Sequence, residues 1–139
     1  MARCWLLVLG SNLGSDACVR ATLVRLAATG PTTSLTTIQH FPSDDGGSTN
    51  YFNVLVTWQQ DGDGAAVVAQ LKQMELVLGR DRTHPTEVAI DIDLLAECID
   101  GRWHATSHAL EKNEFGHATV AALLRQAGLV VLGVASKEG

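Results

Sequence analysis

Six consecutive apolar residues, Cys4-Trp5-Leu6-Leu7-Val8-Leu9, leave no polar side on the segment they form. Successive side chains of an extended chain point to opposite sides, so such a run is a strand buried on both faces. It falls far short of the roughly 20 apolar residues that span a bilayer. A basic residue ahead of an apolar run also opens a signal peptide. Here the run is short, and Gly10-Ser11-Asn12-Leu13-Gly14 behind it reads as a turn leading into a helix. That turn lacks the lysine of a P-loop and the spacing of a dinucleotide fingerprint.

Asp16 is placed to cap the helix, with Val19, Leu23 and Leu26 at helical spacing and Gly30-Pro31 as its stop. Thr33 to Phe41 suits a strand, and the Pro, Ser, Asp and Gly residues between Pro42 and Asn50 a mobile loop. Tyr51 to Gln59 returns to strand chemistry. Asp61 to Gly64 then supplies turn and cap residues for a helix whose Val67, Leu71, Met74 and Leu78 form one apolar stripe, ended at Gly79. Arg80 to Glu87 is a polar loop, and Val88 to Ile99 alternates as a strand. His117 to Ala127 is a last helix, and Leu129 to Val134 an extra strand or docked tail. The order is the split βαβ pattern of an α+β fold: a ferredoxin-like βαββαβ sandwich with an antiparallel sheet, plus a C-terminal helix. A chain of 139 residues is expected to fold around one core, as a single domain over residues 1–139.

The formal net charge of −5 argues against a general nucleic-acid or anionic-membrane binder, since both partners need a basic patch. A small anionic ligand would need clustered arginines or a bridging cation. Cys4, Cys18 and Cys98 are odd in number, widely spaced and set in apolar segments, which suits reduced thiols in the cytoplasm.

The sharpest local feature is Ile90-Asp91-Ile92-Asp93-Leu94-Leu95. In a strand Asp91 and Asp93 share a face, about 7 Å apart along it, and can converge on a divalent cation. Taken alone, the pattern is the ordinary appearance of a half-buried strand whose polar side meets solvent. Upstream, Arg80 and Arg82 can reach a polyphosphate held by the aspartates, with planar forks matched to phosphate oxygens. A solvated charged loop is the plain alternative. Tyr51 and Asn53, two apart, place an aromatic ring beside an amide that both donates and accepts, a pairing suited to a flat heterocycle. Phe115 is either a second ring over such a ligand or a core residue, and His108 either a nucleotide contact or an exposed loop histidine. Trp5 and Trp58 are assigned to packing, and His84 and Glu87 to no role.

Leu9-Gly10-Ser11-Asn12-Leu13-Gly14, Tyr51-Phe52-Asn53, Leu78-Gly79-Arg80-Asp81-Arg82 and Ile90-Asp91-Ile92-Asp93-Leu94-Leu95, in this order, resemble the 6-hydroxymethyl-7,8-dihydropterin pyrophosphokinase family of folate biosynthesis. The resemblance covers roughly the first hundred residues. It implies a magnesium-dependent transfer of the β,γ-pyrophosphoryl unit of ATP to the pterin hydroxymethyl group, with release of AMP. It also implies that Asp91 and Asp93 hold magnesium, that Arg80 and Arg82 meet the ATP phosphates, and that these four are the catalytic residues. Tyr51, Asn53 and Phe115 correspond to the pterin site, and His108 to a nucleotide contact. The implied partners are ATP and a small pterin, with no nucleic acid and no membrane; the oligomeric state is left open. The chain departs from the family in its loops. Where members carry a Trp-Gly-Pro-Arg-like stretch before the Asp-x-Asp, this sequence reads Thr83-His84-Pro85-Thr86-Glu87-Val88-Ala89. The Pro-rich loop after the second strand is altered to Phe41-Pro42-Ser43-Asp44-Asp45-Gly46-Gly47, and the C-terminal portion is shorter. The alternative reading is therefore a catalytically weakened relative that binds a nucleotide or another small molecule.

Overall fold

The computed structural model describes residues 2–42, 50–80, 83 and 88–134. The apolar run lies in β1 (Arg3–Ser11), in which every residue from Trp5 to Ser11 is buried. It is the central strand. β4 (Asn50–Gln60) runs antiparallel along one side of it and β5 (Asp91–Ile99) antiparallel along the other. β2 (Thr32–Ser34) and β3 (Gln39–Pro42) share the outer edge of β4, Thr32 opposite Trp58 and Gln39 opposite Asn53. The strand expected over Thr33 to Phe41 is therefore split in two. At the break the Leu55 N–H donates to Thr36 Oγ1 at 3.2 Å, so a side-chain oxygen stands in for a ladder carbonyl.

These strands make the order β5-β1-β4 with β2 and β3 outermost, all antiparallel, which is the expected ferredoxin-like arrangement. Two strands extend it. Asp100 and Gly101, with φ of 53° and 77°, turn β5 back into β6 (Arg102–Ala105), and β7 (Val131–Leu132) adds in parallel beside β6. Two central residues at positive φ suit a tight hairpin, for which Asp-Gly is a strong local signal.

α1 (Ala17–Thr29) and α2 (Gly64–Val77) cover one face of the sheet. Val19 and Leu26 of α1 and Val67, Leu71 and Met74 of α2 pack with Trp5, Leu7, Leu9, Val54, Val56, Trp58, Ile92 and Leu94. Leu78 is half-buried at the same cluster. Each fully buried side chain of this size contributes about 1.5–3 kcal/mol. Both tryptophans pack as expected and also bond: Trp58 Nε1 donates to Leu26 O at 3.1 Å and Trp5 Nε1 to Gln60 O at 3.2 Å. Asp63 caps α2 by accepting from the Ala66 N–H at 2.9 Å. Asp16 stands at the N-cap of α1 but makes no side-chain cap bond; its carboxylate pairs with Arg20 Nε at 2.8 Å.

The opposite face is covered by α4 (Ala118–Ala127), whose Val120 and Leu123 pack on Leu6, Val8, Leu55, Leu95 and Ala96. A short α3 (Ser107–Glu111) and one 3-10 turn (Glu114–Gly116) lead into it. β5 pairs Ala96 with Leu6 but Leu94 with Leu7, so Leu95 is an extra residue in the ladder. This bulge changes the facing of the strand. On one side of it Ala96 shares the α4 face with Leu6; on the other, Ile92 and Leu94 pack under α1 and α2, and Asp91 and Asp93 are turned to the α4 side. Cys4, Cys18 and Cys98 are free and half-buried, with Cys4 opposite Cys98 across β1 and β5. Among the described residues no helix is long and apolar enough to cross a membrane.

Candidate functional site

Three neighbouring strands bring three residues into one row: Asn53 of β4 lies opposite Gly10 of β1, which lies opposite Asp91 of β5. Paired residues share a sheet face, here the α4 side, and the row spans about 10 Å at the usual strand spacing. Gly10 makes its middle bare. A Cβ there would stand 2.7 Å from Asn53 Nδ2 and 3.8 Å from Tyr51 Cδ1, so the glycine is needed for the Asn53 side chain to lie where it does.

Asn53 is 9% exposed. Its Nδ2 donates to Leu9 O at 3.2 Å, while its Oδ1 is buried and has no hydrogen-bond partner among the described residues. An unsatisfied buried acceptor costs about 1–3 kcal/mol, which a ligand donor would recover. Tyr51 is two residues away on the same face and half-buried, and Phe115 is half-buried against the core of that face. The structure thus brings Tyr51, Asn53 and Phe115 to one side of the sheet.

The strand ends are held in register by the turn after β1. Asn12 Oδ1 accepts from the Val88 N–H at 2.6 Å, and the Asn12 N–H donates to Val88 O at 2.9 Å. Buried Ser11 also donates its hydroxyl to Val88 O at 3.4 Å. Val88 lies three residues before Asp91, the first residue of β5, so these bonds set where the two aspartates begin.

Asp91 and Asp93 lie within hydrogen-bonding reach of each other. Burial, and next the Asp93 carboxylate, push Asp91 up to about 6. Asp93 is raised as well, chiefly by burial; its bond to Asp91 opposes the shift and Glu114 adds to it. Glu114 is 5% exposed, within bonding reach of Asp93, and raised mainly by burial. Positive charge comes from two sides. Lys112 Nζ is 3.2 Å from Asp93 Oδ1, and Arg80 Nη1 is 3.9 Å from Asp91 Oδ1 while donating to Ile90 O at 3.2 Å. From beneath, buried Glu75 of α2 accepts the Ile92 N–H at 2.7 Å, between the two aspartates.

Arg80 owes its place to the end of α2. Gly79, at φ 102°, donates to Leu76 O at 3.2 Å, and the Arg80 N–H donates to Glu75 O at 2.9 Å. This pair of bonds is the Schellman cap, and it turns the chain toward β5 one residue after the glycine. Arg82 lies outside the described residues, as do Asp81, His84 and Glu87 and residues 43–49 of the loop after β3. His108 is in the first turn of α3 and half-buried, a helical position in place of the late loop expected for it. Burial first, then Lys112 and Lys72, lower its pKa.

Two half-buried carboxyls that share a face, with side chains 39% exposed at Asp91 and 13% at Asp93, are a donor set for a hard divalent cation. Among the described residues no three His, Cys, Asp or Glu side chains are grouped to hold a metal ion. Two carboxylates with the remaining positions left to phosphate oxygens and water is the pattern typical of magnesium, so the residues present fit that ion. Sequence reasoning missed Gly10, Ser11 and Asn12 as positioning residues, and Lys112, Glu114 and Glu75 as neighbours of the acidic pair. The contact of Lys112 and Glu114 with Asp93 crosses from one element to another, and no local pattern announces it.

Residues 6–123 match the family described as 7,8-dihydro-6-hydroxymethylpterin-pyrophosphokinase. Among curated proteins no match is found.

Proposed function

The chain belongs to the 7,8-dihydro-6-hydroxymethylpterin-pyrophosphokinase family, and from that premise we propose that it transfers the β,γ-pyrophosphoryl unit of ATP to the hydroxymethyl group of a reduced pterin, in the cytoplasm and with magnesium, as one domain. The observation that carries this reading is the row Asn53–Gly10–Asp91: a buried amide acceptor without a partner among the described residues, a bare glycine, and an acidic group, side by side on one face. A flat heterocycle lying over Gly10 would offer ring donors to Asn53 Oδ1, stack on Tyr51 and Phe115, and direct its hydroxymethyl group toward β5. Catalysis of this reaction is mostly positioning and charge neutralisation.

Asp91 and Asp93 would hold magnesium, which when bound supplies positive charge at the triphosphate. Arg80, and Arg82 beside it in sequence, meet the phosphates as planar donors. The pterin oxygen attacks the β-phosphorus, the bond from that phosphorus to the oxygen bridging to the α-phosphate breaks, and AMP leaves with that oxygen. The hydroxyl proton is released to solvent with the attack, and neither aspartate is assigned as its base. His108, at the start of α3, is assigned to the nucleotide. The test is AMP release from ATP, which should require both the pterin and a divalent cation. ATP hydrolysis indifferent to the pterin would overturn the assignment.

One observation favours a second reading. The segment before Asp91 lacks the family's Trp-Gly-Pro-Arg-like stretch and with it an arginine and a tryptophan. A chain without them can retain the ligand sites as a binding module. Saturable pterin and nucleotide binding with no AMP formed would select that reading.

A further inference from the structure

Lys112 belongs to no role assigned above, yet it makes the closest cationic contact to the acidic pair among the described residues, 3.2 Å from Asp93 Oδ1. The local fold puts it there. Lys112 closes α3, its N–H donating to His108 O at 3.1 Å, and Asn113 follows in the left-handed conformation at φ 52°. That reversal brings the residues on either side of Asn113 to the same carboxylate: Lys112 as a cation and buried Glu114 as a second carboxyl. The two partners are mounted differently. The Asp93 side chain is 13% exposed on a central part of the sheet, whereas that of Lys112 is 42% exposed on a flexible stem at the end of a five-residue helix. A carboxylate held rigidly and an ammonium free to leave is the arrangement of an exchangeable counter-ion.

We propose that Lys112 is the resident counter-ion of the Asp91–Asp93 pair, and that a divalent cation enters by displacing its ammonium. The inference rests on the reading of Asp91 and Asp93 as cation ligands, and it assigns Lys112 a positioning role. With the site empty of cation, the ammonium offsets the mutual repulsion of Asp91, Asp93 and Glu114 and keeps them aligned. Burial alone would lower the ammonium's affinity for its proton; the carboxylates of Asp93, Glu114 and Asp91 together raise it, so it stays charged. Entry of a divalent ion competes with this pair directly. An ammonium and a divalent ion held at the same carboxylate repel each other at close range, and the mobile partner yields. Cation affinity in the absence of nucleotide is accordingly held down by Lys112, which favours entry of cation together with triphosphate.

The experiment titrates Mn2+ alone, without nucleotide, into the full chain as wild type, Lys112→Met, Lys112→Gln, Lys112→Arg and Asp93→Asn. Calorimetry should find Mn2+ bound about tenfold more tightly by the Met and Gln variants than by wild type, and within about twofold of wild type by the Arg variant, because charge at that position sets the competition. A second readout uses wild type only. Mn2+ should accelerate acetylation of the Lys112 amine, read by mass spectrometry against Lys72 as internal reference. Equal or weaker Mn2+ binding by both neutral variants, or acetylation of Lys112 unmoved by Mn2+, overturns the inference. The outcomes separate it from the metal site itself. If Asp93→Asn abolishes Mn2+ binding while the Lys112 variants match wild type, the site stands and the role of Lys112 falls. If no variant, nor wild type, binds Mn2+, both fall.

Discussion

The two faces of the sheet are covered unequally, and the candidate site occupies the difference. On the α1 and α2 side, β1, β4 and β5 contribute Trp5, Leu7, Leu9, Val54, Val56, Trp58, Ile92 and Leu94 to one buried cluster, sealed by apolar residues of both helices. On the α4 side the apolar cover holds over Leu6, Val8, Leu55 and Leu95, and then Asn53, Gly10, Asp91 and Asp93 take over on the same strands. One face spends its surface on stability and the other leaves its end open to chemistry. Polar groups persist at that end at a cost: an orphaned amide oxygen and crowded carboxyls, tolerated because the closed face is well packed.

The largest effect belongs to the closed face. Leu71→Ala removes a side chain 1% exposed between α2 and the sheet, and should destabilise the protein by about 2–5 kcal/mol in denaturant unfolding. A cost under about 1 kcal/mol would mean that this face is not the one holding the fold. Gly10→Ala comes next. Its Cβ would collide with Asn53 Nδ2, so about 1–3 kcal/mol of stability should be lost, with pterin affinity falling by more than nucleotide affinity. Equal loss of both ligands would remove the distinction between the amide and acidic ends of the row. Asn12→Ala deletes the acceptor of the Val88 N–H, and a loss of about 1 kcal/mol is expected with a weaker response of stability to divalent cation.

The smallest effect is the most specific to the open end. Folded Asp91 holds its proton more tightly than the unfolded chain does, so the folded state gains stability when that proton is present. The contribution is complete below the ordinary carboxylate value of 3.8 and is lost as pH rises through about 6. Thermal unfolding of the cation-free protein should show this loss, and Asp91→Asn should show a smaller one, left by the raised carboxyls of Asp93, Glu114 and Glu75. Divalent-ion affinity should run the other way, falling about tenfold per unit of pH below that value, because only the ionised carboxyl coordinates. A cation affinity flat between pH 5 and pH 7, as set in the titration buffers, would mean that Asp91 is no ligand.

Much of this architecture is written locally. The uninterrupted run Cys4 to Leu9 already requires a strand covered on both faces, the spacing of Val67, Leu71 and Met74 requires a helix with one buried side, and Asp63 and Gly79 mark its ends through bonds made within a few residues. The alternation around Asp91 and Asp93 puts both carboxyls on one face by the period of the strand alone. Where the sequence reading failed, the deciding contact was not local. The break between β2 and β3 depends on a threonine hydroxyl meeting Leu55, the bulge at Leu95 on a mismatch with β1, and the value of Gly10 on Asn53 standing opposite it in β4. Lys112 and Glu114 reach Asp93 because a left-handed Asn113 folds α3 back over the sheet. Periodicity, capping and turn chemistry are short-range, so the residues alone determine the elements and which faces they bury. Register between strands and the charges that meet across them arise from packing, and those the tertiary structure decided.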